Sequence, residues 1–392
     1  MISFADFFKS LPSRLSRVTS GGRVIAEVDG LRFLAIFPVV IQHLSERLER
    51  NVSFTFQPGS EFEFTHYLTN RGFIGVYIFF VISGFILGMP FAAYFLRGGK
   101  KVSIKTYFIR RLTRLEPPYI IVLSLITVSL VVMGYYSWSE IWPHFIASVF
   151  YLHSIIFHSW SYINPPVWTL EIEVQFYILA PFLAMLLFSI KPKILRRICM
   201  ISFIFLIVLL QQYFRIPHQY TILTILAHIH FFLIGFLLVD IYLTDWDQGI
   251  KRKPHFNYLA ILSFAAAIML WSWDHFLINR ILFSFALFVL VYSVFRSTWI
   301  NRFVTLPWIT AIGGMCYTIY LIHLPLIELF IRFSKTIHVT DFFTINFLIQ
   351  LCLLTPILLT ASIIFYLLIE KPCMHKDWPQ QLKVYLQKKI LG

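Results

Sequence analysis

GFIGVYIFFVISGFILGMPFAAY (Gly72–Tyr94) runs for 23 residues without a charged side chain. Wound as a helix at ~1.5 Å per residue, it covers the ~30 Å hydrocarbon core of a bilayer. Comparable apolar segments recur at residues 30–46, 115–134, 167–189, 197–213, 221–243, 257–273, 280–296, 309–331 and 344–369. The composition agrees, with 58% hydrophobic and only 13% charged residues, about half the charged share of a soluble domain. The expected fold is therefore all-α, a polytopic membrane bundle of about ten transmembrane helices.

A further apolar run, IWPHFIASVFYLHSIIF (Ile141–Phe157), decides whether the count is ten or eleven. It is short and carries Pro143, His144 and His153. With ten crossings and both termini inside, 26 of the 33 Lys and Arg residues fall on the cytoplasmic side. If this run also crossed, the clusters KPKILRR and KRK would face outward, against the positive-inside bias. The segment is therefore expected in or on the outer leaflet. Residues 1–29 then form a cytoplasmic N-terminal segment, 30–370 the transmembrane domain and 371–392 a cytoplasmic tail.

No loop or tail is long enough to bury a core of its own, so the chemistry is expected within the bundle. The N-terminus lacks a cleavage signature, and the first span is expected to serve as its own anchor. The net charge of +14 is spread over several loops, which points to membrane lipid rather than nucleic acid. Cys199, Cys316, Cys352 and Cys373 fall in spans or the inner tail. They form neither an extracellular disulfide framework nor a metal-ligand spacing.

Charged groups inside spans are costly and mark candidate sites. In EVDGLRFLAIFPVVIQHL, Arg32 and His43 stand eleven residues apart, within about 20° of one helical face and ~16 Å apart along the axis. They suit a site reaching through the membrane; snorkelling of Arg32 and an interfacial His43 are the plain alternatives. Ser83-Gly84 in the second span permits close helix contact. Arg110, Arg111 and Arg114 fall on nearly one face before the third span, where guanidinium forks suit phosphate oxygens or anchor to lipid. The fourth span opens with Trp168, Glu171, Glu173, Gln175 and Tyr177, its carboxylates at about the depth of His43. A carboxylate beside an imidazole is the arrangement of general-base catalysis. His323 adds a second histidine in the ninth span, where a helix–helix hydrogen bond is the simpler reading.

Five stretches together resemble the acyltransferase 3 family of bacterial integral membrane O-acyltransferases. They are DGLRFLAIFPVVIQH (Asp29–His43), GVYIFFVISGF (Gly75–Phe85), FIRRLTRLEPPY (Phe108–Tyr119), WTLEIEVQFY (Trp168–Tyr177) and YTIYLIHLP (Tyr317–Pro325). The resemblance covers nearly the whole chain. It implies ten helices, cytoplasmic termini and a place in the bacterial cytoplasmic (inner) membrane. It also implies transfer of an acyl group, usually acetyl, from acyl-CoA to a hydroxyl of a sugar or cell-surface glycan, without a metal. The family's first-span pair falls on Arg32 and His43, with Asp29 beside them. Its arginine loop falls on Arg110, Arg111 and Arg114, and its tryptophan-glutamate motif on Trp168, Glu173, Gln175, Phe176 and Tyr177. Ser83 and His323 are expected in support. Many members carry Asp where this chain has Tyr77 and Glu where it has Val174, and Glu171 is given no chemical role.

On this reading Arg110, Arg111 and Arg114 hold the phosphates of the donor, whose arm rises past Arg32. His43 either deprotonates the acceptor or accepts the acyl group itself, and Glu173 orients it. No appended esterase-like domain is expected, so the chain would act alone or with a separate extracytoplasmic partner. Trp138, Trp142, Trp160 and Trp168 cluster at the outer loop, where they would stack on sugar or form an interfacial belt. A transporter or flippase of a lipid-linked or small anionic substrate is the rival class. The absence of a clear internal repeat counts against it.

Overall fold

The computed structural model describes residues 10–17, 24–51, 60–216, 220–272, 276–375 and 378. Among them every regular element is helical. In chain order the principal helices are α1 (Ala26–Asn51), α2 (Ser60–Thr69), α3 (Ile74–Arg97), α4 (Ile104–Val132), α5 (Trp138–Val149), α6 (His153–Phe157), α7 (Trp168–Phe188) and α8 (Lys193–Tyr213). They continue with α9 (Ile229–Thr244), α10 (His255–Leu270), α11 (Leu277–Arg296), α12 (Trp299–Val304), α13 (Pro307–Gly314), α14 (Cys316–Ser334) and α15 (Phe343–Phe365).

Among the described residues eight helical stretches are long and apolar enough to cross a membrane, whereas α9 and α10 have 16 residues each, or about 24 Å. Each of the ten apolar segments carries helical structure in its described residues, the one at 257–273 only as far as Leu270, with residue 273 outside the described residues; two are not the continuous helices that hydropathy alone suggests. The segment at 221–243 begins as two tight turns, Tyr220–Leu223 and Ile225–Ala227, before α9 starts. The segment at 309–331 is broken at Met315 between α13 and α14. Ile141–Phe157 folds as the end of α5, a turn through Tyr151 at φ 58°, and α6. The 12 residues of α5 reach only ~18 Å, too short to cross.

Burial follows hydropathy pattern. Thirteen of the 16 residues of α9 are buried, as expected of a helix apolar on all sides. It packs on α3 through two glycines: a Cβ on Gly84 would lie 2.0 Å from the Phe232 carbonyl oxygen, and one on Gly235 would lie 2.3 Å from that of Val81. That contact brings the two backbones together, as small residues do in membranes. By contrast α4, α8 and α15 present rows of exposed aliphatic side chains such as Leu125, Ile198 and Leu353, the faces that lipid would cover.

At one end of the bundle an ion network ties α8 to α9. Asp240, fully buried, accepts from Arg196 and, at 2.7 Å, from Arg197. Arg197 also grips Asp245 at 2.9 Å. Although burial works the other way, Arg197 and Lys193 hold the Asp245 carboxyl down to about 2. Two arginines of the basic cluster KPKILRR therefore satisfy a buried carboxylate.

Candidate active site

Two cavities meet inside the bundle, lined chiefly from α1, α2, α3, α4, α7 and α14. The smaller, about 110 Å³, is lined by Arg32, Ser83, Arg111, Arg114, Glu173 and Tyr177 among others. The larger, about 1000 Å³, is lined by His43, Glu46, Arg47, Trp160 and Trp168 among others. Along α1 the side chains of Arg32, Val39 and His43 recur at helical spacing and form one stripe, Arg32 in the first cavity and His43 in the second.

In the smaller cavity Arg32 donates to Asp29 at 2.9 Å, and Arg17 reaches the same carboxylate oxygen at 2.8 Å. Asp29 thus fixes two guanidinium groups on its buried side chain. Arg111 lies over the rings of Tyr107 at 5.9 Å and Tyr177 at 5.6 Å. Neither Arg111 nor Arg114 has an ion-pair partner among the described residues, and the Arg114 Nε lacks a hydrogen-bond partner. Arg110 departs from the expectation: it is exposed and lines neither cavity. The inward face of α4 runs through Tyr107, Arg111 and Arg114 at spacings of four and three, and Arg110 stands ~100° away from Arg111.

Glu173 accepts a hydrogen bond from the Ser83 hydroxyl, and no hydrogen bond joins it to His43. This corrects the pairing expected from depth. The carboxylate beside His43 is Glu46, one turn along the same helix, with Nδ1 3.4 Å from Oε2. Glu46 is held in turn by Gln42 Nε2 at 2.7 Å. A proton on Nδ1 directed at Glu46 leaves Nε2 of His43 with its lone pair free to accept.

His323, fully buried, packs its ring 5.2 Å from that of His43. Its Nδ1 donates to the carbonyls of Tyr320 at 2.7 Å and Ile319 at 3.1 Å, while Nε2 has no hydrogen-bond partner among the described residues. Trp168 is buried against Trp160 and His228, and both Trp160 and Trp168 line the larger cavity. Trp138 and Trp142 are exposed instead, at 52% and 53%.

Gln175 and Glu171 have structural duties. Gln175 Oε1 accepts from the amide of Ile225 at 2.8 Å and so pins the turn that precedes α9. Glu171 Oε2 accepts from the amide of Ser154 at 2.9 Å and anchors the start of α6. Near it His144 Nδ1 meets His153 Nε2 at 2.8 Å. Burial, with His144 alongside, pushes the His153 imidazole down to about 4.

An acyltransferase domain model, that of the acyltransferase 3 family, matches residues 25–367. The chain belongs to this family. A relative from Staphylococcus aureus strain COL, provisionally named an O-acetyltransferase, is 27% identical over 346 residues, covering 78% of this chain and 51% of its own length. The O-acetyltransferase OatA of S. aureus strain NCTC 8325 is 24% identical over 383 residues, covering 91% of this chain and 58% of the relative. The chain thus spans about half the length of the curated relatives it matches. No solved structure matches it.

Several residues of this acyltransferase 3 chain escape a reading by spans. Glu46 was hidden because hydropathy ends the first span there, although α1 continues to Asn51. The signal was its position three residues after His43. Asp240, His230 and Arg280 are buried within apolar segments and were passed over because single polar residues barely lower a window average.

Proposed function

We propose that this chain is a membrane O-acyltransferase that carries an acyl group, acetyl foremost, from acyl-CoA to a hydroxyl of a cell-surface glycan. We place it in the bacterial inner membrane with both termini in the cytoplasm, so that the donor arrives on the arginine side and the acceptor on the histidine side. The observation that carries this reading is the meeting of two unlike cavities: one with two arginines that have no ion-pair partner among the described residues, the other with a His43–Glu46 pair.

Arg111 and Arg114 offer guanidinium forks to the phosphates of the donor. Arg32, fixed by Asp29, neutralises charge deeper along the stripe. Glu173, held by Ser83, positions the donor arm. His43 Nε2 takes the proton of the acceptor hydroxyl as its oxygen bonds to the acyl carbon. The carbon–sulfur bond of the thioester breaks, and the proton passes from His43 to the departing sulfur, giving the free thiol and an ester. Glu46 keeps the Nδ1 proton in place and stabilises the imidazolium that forms in between.

The reading is tested with purified protein, acetyl-labelled acetyl-CoA and an envelope glycan fraction. Wild type is expected to release thiol and label the glycan, and His43→Ala to lose about a hundredfold or more of both. Equal release by the variant would remove His43 from the chemistry. A transporter would move substrate with no thiol released.

A further inference from the structure

The two cavities have four lining residues in common: Val39, Val76, Thr169 and Tyr320. Of the four, Tyr320 alone brings an aromatic ring, so its position decides how wide the passage is. That ring is tied at both ends. Its root is on α14, and its hydroxyl donates to the carbonyl of Pro166 in the turn before α7. The Thr169 hydroxyl pairs with the same phenol oxygen at 2.8 Å, donating to it because the phenol proton is already given to Pro166. Tyr320 also adjoins the histidines: its carbonyl accepts from His323, whose ring packs on His43.

We propose that Tyr320 is the residue that limits the length of acyl group delivered to His43. The inference rests on the acyltransferase reading and adds to it a specificity that the reading leaves open. Held across the passage between α14 and the Pro166 turn, the ring admits a thioester bearing a short acyl group to the edge of the outer cavity. A longer chain has to run into the ring or fold back into a cavity of about 110 Å³. A packed apolar stop of this kind discriminates by one methylene to about tenfold or more. Selectivity should therefore follow the bulk of the ring, while the two hydroxyl contacts keep it in place.

The experiment compares acetyl-, butyryl- and octanoyl-CoA as donors with the full-length protein, reading both thiol release and ester formation. Wild type is expected to prefer acetyl over butyryl. Tyr320→Ala should raise the butyryl-to-acetyl ratio at least about tenfold; Tyr320→Leu, a milder change that guards against misfolding, should move it in the same direction. Tyr320→Phe, which keeps the ring and loses its two hydroxyl contacts, should keep acetyl preferred and shift the ratio far less than Tyr320→Ala. As a converse, Val76→Phe should narrow the passage and lose transfer while still binding acetyl-CoA by equilibrium dialysis. The proposal is overturned by an active Tyr320→Ala with the wild-type ratio, by a shift in Tyr320→Phe as large as in Tyr320→Ala, or by full transfer in Val76→Phe. Those results leave the acyltransferase reading standing. A wild type that releases no thiol from any donor overturns both.

Discussion

At the scale of single residues, the decisive difference is between two glutamates. Glu46 touches His43 in the larger cavity, and Glu173 touches Ser83 in the smaller. Glu46→Gln replaces the carboxylate with a neutral amide and removes the charge that stabilises the imidazolium, so it should lower kcat on the order of a hundredfold with little change in donor KM. Glu173→Gln should do the reverse, raising the donor KM with kcat within about threefold of wild type. Steady-state kinetics on the two variants separates the roles; matching losses of kcat would restore Glu173 to the chemistry. Removing Arg111 or Arg114 should each raise the donor KM about tenfold, the scale of a lost charge-assisted hydrogen bond.

His153 offers a pH test at the same scale. Its imidazole is held down to about 4 in the folded chain, against ~6.5 when unfolded. Between those values the unfolded chain binds the extra proton, so stability falls as pH drops through 6.5 and levels off below about 4. Thermal melts from pH 7.5 to 5 should show a drop for wild type that shrinks in His153→Gln. An identical drop in both would assign the pH dependence to other groups.

At the scale of elements, hydropathy located every major helix because a bilayer demands ~20 apolar residues per crossing and satisfied backbone throughout. It lost the places where that demand is relaxed inside protein. The turns at Tyr220–Leu223 and Ile225–Ala227 are apolar, yet they are not α-helix, because Gln175 supplies a side-chain partner to the Ile225 amide. The stripe of Arg32 and His43 was legible because one helix carries both. The partner of His43 was not, because depth in the membrane says nothing about which wall of a cavity a side chain lines: the carboxylate beside it is Glu46 and not Glu173. Close contacts were legible only as small residues: Gly84 meets α9 at backbone distance. Gly84→Ala should therefore destabilise the bundle by about 1–3 kcal/mol, seen as a lower melting temperature in detergent. An unchanged melt would show that α3 and α9 can separate freely.

For the whole molecule, the account requires that two solutions meet at one histidine without mixing. Its topology places residues 135 and 162, on either side of α5 and α6, on the same outer face. In a chain whose four native cysteines are replaced by serine, Tyr135→Cys and Tyr162→Cys should both react with an impermeant maleimide outside. Lys251→Cys should react only after permeabilisation. Opposite sidedness of the first two would make α5 a crossing and invert every later loop. The measurement that bears most directly on function uses right-side-out membrane vesicles loaded with acetyl-labelled acetyl-CoA. The account predicts label on the outward-facing glycan and free thiol trapped in the lumen, both lost in His43→Ala. Glycan labelled only when acetyl-CoA is supplied from outside would contradict transfer between the two cavities.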